Sequence, residues 1–233
     1  MTKPRLLDLF CGAGGAAVGY HRAGFEVVGV DIAPQPHYPF EFYQADVMKY
    51  AFTDQGPKVD SGYHTINWTK FDAIHASPPC QAYTVAANIH GVGSHPDLLP
   101  RTRELLEATG LPWVIETVPG APMRADVICC GLAFGLGVKR HRWFESNMPL
   151  WAAPACPPGH PGDWVTVFGH TVLERGHVIG KAKGGGPSIR HKHLGVDRGR
   201  EAMGIDWMNR NELSQAIPPA YTEFIGKQLL DLL

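Results

Sequence analysis

Residues 5–31 read RLLDLFCGAGGAAVGYHRAGFEVVGVD. RLLDLF (5–10) is a short apolar run with the character of a buried strand, and CGAGG turns the chain tightly after it. AAVGYHRAG then sets Ala16, Ala17, Tyr20 and Ala23 near helical spacing, with Gly24 as the stop. FEVVGVD (25–31) reads as a second strand, ending in Asp31. Strand, glycine loop, helix is the arrangement that cradles a nucleotide-like ligand: glycines let the ligand approach the backbone, and the helix start offers free N–H groups. Asp31 lies some twenty residues beyond the loop, where an acid can accept hydrogen bonds from ribose hydroxyls. Gly12, Gly14 and Gly15 do not follow G-x-G-x-x-G, which weighs against a nicotinamide or flavin cofactor.

The same alternation continues outward. FEFYQADV (40–47) offers a third strand, residues 51–70 read as a polar surface loop, and FDAIHAS (71–77) is a strand running into Pro78–Pro79. DLLPRTRELLEATG (97–110) reads as a helix, WVIETV (113–118) as a buried strand, VICCGLAFGL (127–136) as a short apolar segment and RWFES (142–146) as one more strand. Composition shifts at residues 149–162, PLWAAPACPPGHPG, which look like a linker. WVTVFGHTV (164–172) alternates like a strand, and PPAYTEFIGKQLLDLL (218–233) reads as a C-terminal amphipathic helix. Strands alternating with helices imply βαβ units and a mostly parallel sheet, whose ligands bind beyond the carboxyl ends of the strands. Phe10–Gly15, Asp31, Asp46, Pro79–Cys80 and Glu116 all fall at such ends.

The 233 residues suffice for one α/β domain, or a main domain with a small lobe. No apolar run approaches the roughly 18 residues of a bilayer span. The N-terminus does not read as a signal peptide. Five cysteines form no disulfide framework, so an intracellular protein with reduced thiols is expected. Cys156, His160 and the Cys129–Cys130 pair match no zinc spacing along the chain, and no metal is expected. Net charge is −1, but residues 175–200 hold seven Lys and Arg (Arg175, Lys181, Lys183, Arg190, Lys192, Arg198, Arg200) against Asp197 alone. Such a local excess suits a phosphate backbone as well as a solvated loop. Cys80 follows two stiffening prolines and has polar neighbours, unlike a cysteine of an apolar core. A reactive thiolate needs nearby positive charge, and Lys139, Arg140, His141 and Arg142 are candidates to supply it. Glu116 ends its strand with a carboxyl able to hydrogen-bond a pyrimidine ring nitrogen.

DLFCGAGG (8–15), SPPCQ (77–81), IETVPG (115–120) and KRHR with WFES (139–146) together resemble the cytosine-5 DNA methyltransferases in order and rough spacing, over about residues 5–148. The likeness resumes at REAMGIDWM and QAIPPAYTEFIGKQL (200–229). It implies a Rossmann-like S-adenosylmethionine-dependent methyltransferase fold, α/β with a mostly parallel sheet and a small target-recognition lobe. Residues 1–148 would be the catalytic and cofactor-binding domain, 149–198 the lobe, and 199–233 a segment returning to the catalytic domain. The cofactor implied is S-adenosyl-L-methionine, leaving as S-adenosyl-L-homocysteine. Phe10, Gly12, Ala13 and Gly14 would line its pocket, with Asp31 on the ribose, Ile32 against the adenine and Asp46 at its amino group. Val47, Pro79, Gln215 and Ala216 would complete that pocket. Cys80 would be the nucleophile with Pro79 as its support, Glu116 would hold the base, and Arg140 and Arg142 would contact the base or its phosphate. The resemblance implies base flipping and a covalent cysteine adduct. Gln81, Arg175, Lys181, Lys183, Arg190 and Lys192 are the residues expected on the nucleic acid.

Three positions depart from the family pattern. Thr117 replaces an asparagine, Val138 replaces a glutamine, and Ser214–Gln215 replaces Gly-Asn. Double-stranded DNA is the expected partner of a monomer without membrane contact, in the cytoplasm of a bacterial or phage-infected cell. A restriction-system partner is an option that the chain leaves open. Two alternatives stand beside this reading: a tRNA cytosine-5 methyltransferase on the same frame, and a catalytically idle DNA-binding relative.

Overall fold

The computed structural model describes residues 2–48, 67–79, 83, 96–168, 171–175, 177–181, 187–190 and 192–233, of which 177–181 and 187–190 as backbone alone. β1 (Arg5–Leu9), β2 (Glu26–Asp31), β3 (Glu41–Gln44), β4 (Ala73–Ala76), β5 (Trp113–Thr117), β6 (Val127–Cys130) and β7 (His141–Ser146) form one sheet in the order β3-β2-β1-β4-β5-β7-β6. The first five run parallel. β7 is antiparallel to both β5 and β6, because too few residues separate β6 from β7 for a helical crossover. Leu6, Leu7, Val28, Ile74, Val114 and Ile115 are buried, as expected of strands covered on both faces. Strand order reverses between β1 and β4, so the crevice beyond their carboxyl ends lies at the glycine loop.

α1 (Gly15–Ala23) follows the loop and ends at Gly24. α2 (Leu99–Thr109) is closed by Gly110 in the left-handed region at φ 68°. α3 (Val196–Met203), α4 (Arg210–Gln215) and α5 (Pro219–Leu232) complete the chain. α4 begins with a reciprocal capping box between Asn209 and Glu212. α5 lies along α1, and glycines make the approach possible: a Cβ on Gly19 would run into the side chain of Thr222 and the carbonyl of Pro219, and one on Gly226 into Ala23 and Tyr20. Tyr20, Tyr221, Ile225 and Leu229 are buried in this layer. On the other side of the sheet, Arg103 of α2 holds Glu145 of β7 through two hydrogen bonds of 2.9 and 2.8 Å.

Beyond the main sheet, β8 (Val165–Phe168), β9 (Thr171–Glu174) and β12 (His193–Leu194) form a small antiparallel sheet, and β10 (His177–Lys181) pairs with β11 (Pro187–Arg190). The single strand expected over 164–172 is therefore two antiparallel strands, separated only by residues 169–170. Gly169 is the hairpin signal that alternation alone overrides. Residues 149–162 contain no helix or strand, whereas α3 crosses position 198, so a boundary drawn there cuts a helix. Among the described residues, no helix is long and apolar enough to cross a membrane.

Gly19→Ala forces backbone against backbone between α1 and α5. We expect it to lower stability by about 1–3 kcal/mol, measured by urea denaturation. An unchanged midpoint would show that the two helices separate without cost.

Candidate active site

The loop after β1 is held from several directions. Phe10 and Gly12 lie in the left-handed region at φ 58° and 49°, and Gly14 at 84°. The Gly12 amide donates to Asp31 Oδ2 at 3.0 Å, while Asp31 Oδ1 accepts from the Ala33 amide at 2.9 Å. The Ser77 hydroxyl donates to the Phe10 carbonyl at 3.2 Å, tying the end of β4 to the loop. From the C-terminal segment, Trp207 Nε1 donates to the Ala13 carbonyl at 2.8 Å. The Ala216–Ile217 backbone lies close enough to Gly15 that a Cβ there would collide with the Ile217 carbonyl. Ala216 is buried and Gln215 exposed.

These contacts bring Phe10, Gly12, Ala13, Gly14, Asp31, Ile32, Gln215 and Ala216 to one edge of the sheet. Ile32 is 64% exposed there and presents an apolar surface. Space beside Gly12 is open, since a Cβ there would meet no atom within 4 Å. Asp46 lies just past β3 and accepts from the Met48 amide at 3.0 Å, and Val47 is buried behind it. Beneath the loop, Asp8 is fully buried, and burial together with the Asp31 charge pushes its carboxyl well above the ordinary range. His75 is buried beside it in the sheet and pushed down to about 3 by burial. Its Nδ1 lies 3.0 Å from the Tyr20 hydroxyl.

Glu116, one residue before the end of β5, is 6% exposed. Arg142 Nε approaches its Oε1 at 2.7 Å, an ion pair without the alignment of a hydrogen bond. Burial raises the Glu116 carboxyl above its ordinary 4.5, and the Arg142 and Arg140 charges oppose that rise. The result is a carboxyl suited to carrying a proton, with a cation beside it to compensate when the proton leaves.

Arg140 departs from expectation. Its terminal nitrogens donate to the carbonyls of Val167 at 2.6 Å and Ser214 at 2.7 Å, and its own carbonyl accepts from the Tyr221 hydroxyl at 2.7 Å. Both terminal nitrogens bond main-chain carbonyls, so Arg140 acts as a tether between segments, a role beyond the expected contact with base or phosphate. Of the two arginines, Arg142 is the one at Glu116.

Pro79 is exposed at the end of the β4 segment. Cys80, Gln81 and Lys183 lie outside the described residues. Lys181 and Arg190 fall on β10 and β11, whose backbones alone are described. Lys192 is exposed beside β12. Arg175 donates to the Gly162 carbonyl at 3.1 Å and lies over the Trp164 ring. Arg198 and Arg200 belong to α3, where they pair with Glu201 and Asp197, so the basic excess of 175–200 is smaller than its count.

An open, mostly parallel sheet with a glycine loop and acidic strand ends at its switch point defines the Rossmann-like methyltransferase class. Residues 4–110 match the family described as C-5 cytosine-specific DNA methylase. The Type II methyltransferase M1.HphI of Haemophilus parahaemolyticus is 36% identical over 87 residues, which cover 36% of this chain and 23% of that protein. Among solved structures, S. pombe Dnmt2 methyltransferase superposes with a TM-score of 0.60 at 14% identity, covering 99% of both chains. A prophage-encoded E. coli protein described as a DNA modification methyltransferase gives 0.58 at 14% identity, covering 98% of this chain and 99% of that one. Over residues 4–110 the chain is similar to the cytosine-5 DNA methyltransferases.

The raised Glu116 carboxyl has a consequence for folding. The unfolded chain releases this proton near 4.5 and the folded chain only at higher pH, so stability contributed by Glu116 is full below 4.5 and is lost as pH climbs through the folded value. Denaturation of wild type and Glu116→Gln across pH 4–8 should show the wild type losing ground to the variant as pH rises. Parallel curves would contradict the raised value.

Proposed function

We propose that this protein transfers a methyl group from S-adenosylmethionine to carbon 5 of cytosine in duplex DNA, with Cys80 as the nucleophile. The observation that carries the reading is the family match over residues 4–110, which spans both the glycine loop and the Pro-Pro-Cys-Gln segment. It is supported by the buried Glu116–Arg142 pair on the neighbouring strands.

The residues fit the cofactor. The open space beside Gly12 admits it to the loop, the Asp31 carboxylate can take the ribose hydroxyls, and the bare side chain of Ile32 offers a face for the adenine. Asp46, just past β3, is the residue proposed for the adenine amino group, with Ala216 and Gln215 on the far side. When bound, S-adenosylmethionine supplies an electrophilic methyl group.

Carbon 5 of cytosine is a weak nucleophile, so the protein must activate the ring. The Cys80 sulfur adds to carbon 6 of a base turned out of the duplex, forming a C–S bond. Glu116 delivers its proton to the ring nitrogen, and the ring electrons become available at carbon 5. Arg142 balances the carboxylate that remains. After methylation, the carbon-5 proton passes to water, the Cys80 sulfur departs as a thiolate, and the ring nitrogen returns its proton to Glu116, which restores the aromatic ring. Lys192 and the β10–β11 ribbon, with Lys181, Lys183 and Arg190, are the surface offered to the phosphates. Residues 149–198 serve as the target-recognition lobe in this reading.

Labelled S-adenosylmethionine and duplex DNA should yield 5-methylcytosine, with tRNA as the parallel substrate. Product on tRNA alone would replace the DNA reading. Cys80→Ser should abolish turnover and retain cofactor binding, and 5-fluorocytosine DNA should trap wild type covalently. Absence of the adduct would favour an idle relative. Asp31→Ala should weaken cofactor binding about 10- to 100-fold, the worth of a charged hydrogen bond. Arg142→Ala should lower kcat on the order of 10²-fold.

A further inference from the structure

We propose that Cys130, His141, Cys156 and His160 bind one zinc ion. The ligand atoms of these four residues, one from each, all lie within 4.8 Å of one another. His141 Nε2 is 3.4 Å from Cys156 Sγ, Cys156 Sγ is 3.2 Å from His160 Nε2, and the two imidazole Nε2 atoms are 3.2 Å apart. Zinc at about 2.0 Å from nitrogen and about 2.3 Å from sulfur has tetrahedral N···N edges of about 3.3 Å and N···S edges of about 3.5 Å. The three edges among His141, Cys156 and His160 have nearly that size with no ion present, and Cys130 completes the group within 4.8 Å. Two ring nitrogens and a sulfur converging on one point compete for few protons, since an imidazole Nε2 either donates or accepts and the thiol is one weak donor. A cation at their centre satisfies all of them.

The cluster is assembled by two separate devices. Cys130 and His141 are directly opposed on the antiparallel pair β6–β7, which sets their side chains on one face. Cys156 and His160 come from the segment between the main sheet and β8, in the run Cys-Pro-Pro-Gly-His. That run turns sharply: the His160 amide donates to the Pro157 carbonyl at 3.2 Å, and His160 itself takes the left-handed region at φ 50°, a conformation non-glycine residues seldom adopt. Trp164 Nε1 fixes the turn by donating to the His160 carbonyl at 2.9 Å, and Lys139 lies over the Trp164 ring at 5.0 Å. The turn thereby holds the His160 ring at the cluster. This proposal departs from the expectation of no metal. Chain spacing hid the site because His141 arrives across a strand pair, and of the adjacent cysteines only Cys130, not Cys129, faces the cluster.

Two thiolates and two imidazoles select zinc, and a full set of four protein ligands leaves no open position for substrate. The ion is therefore structural. It pins residues 156–160 to the end of β6 and the start of β7, and His141 sits between Arg140 and Arg142. This inference concerns metal rather than methyl transfer, so its test is independent of the proposed reaction.

Purified full-length protein, dialysed against metal-free buffer, should retain about 1 zinc per chain by elemental analysis. Cys156→Ser and His160→Ala should each bind zinc at least about 10-fold more weakly. Exchange of wild type with Co²⁺ should give the visible bands of a tetrahedral ion with thiolate charge transfer, and this spectrum serves even if a variant fails to fold. Wild type without tightly held metal, a Cys130–Cys156 disulfide in freshly prepared protein, or full zinc retention in both variants would overturn the assignment.

Discussion

The guanidinium of Arg140 sits where three parts of the chain meet. It lies immediately before β7 of the main sheet, and its terminal nitrogens reach one carbonyl in the small sheet, at Val167, and one in the C-terminal segment, at Ser214. Its own carbonyl is capped by Tyr221 from α5. Charged hydrogen bonds are each worth roughly 1.5–3 kcal/mol, and these are shielded, since Arg140 is only 7% exposed. Removing the side chain would strand two carbonyls and separate the elements they belong to. Alternation along β7 then distributes the neighbours: Arg142, two residues on, returns to the same face and meets Glu116, while His141 turns to the other. One strand thus fixes the lobe, the candidate base-binding carboxyl and the metal-ligand cluster together.

The sequence carried the parallel half of the fold openly. Continuous apolar runs with glycine turns and a capped helix specify β1, α1 and β2 through local rules alone, and the acids at strand ends locate the site. What was hidden depends on pairing between distant strands. RWFES reads as a strand, but nothing in it says that β7 inserts between β5 and β6 against the parallel direction. Arg140 and Arg142 look equivalent in the run KRHR, and only the third dimension separates a tether from a partner of Glu116. The α3 arginines read as open to phosphate along the chain, but helical spacing pairs Arg198 with Glu201 and Arg200 with Asp197.

The three departures from the family pattern have local physical accounts of unequal strength. Val138 is fully buried and bridges to Val165, with the Lys139 amide donating to the Val165 carbonyl at 2.9 Å. A glutamine amide at that point would need partners within an apolar cluster of Val165, Met203 and Leu213. Ser214 keeps its carbonyl directed at Arg140, a main-chain function that the side chain does not alter. Its hydroxyl folds back to the Asn211 carbonyl at 2.7 Å. Thr117 is buried at the end of β5 opposite Trp143, and the structure offers no reason for its preference over asparagine.

The small sheet raises a question of support. β8 and β9 have four residues each and β12 two, too little to bury a core unaided. Its apolar side chains do not close on themselves. Val165, Val167 and Val172 share one cluster with Met203, Ile205 and Leu213, and that cluster also takes in Val138, three residues before β7, and Ala13 of the glycine loop. Trp207, packed against the same cluster, donates to the Ala13 carbonyl. The lobe is therefore seated on the underside of the candidate cofactor loop, not hinged beside it. Any displacement of the small sheet must open apolar surface next to Ala13 or break the Trp207 bond, and either change reaches the loop directly. In a chain this short, the surface proposed to read DNA and the loop proposed to hold the methyl donor share a single core.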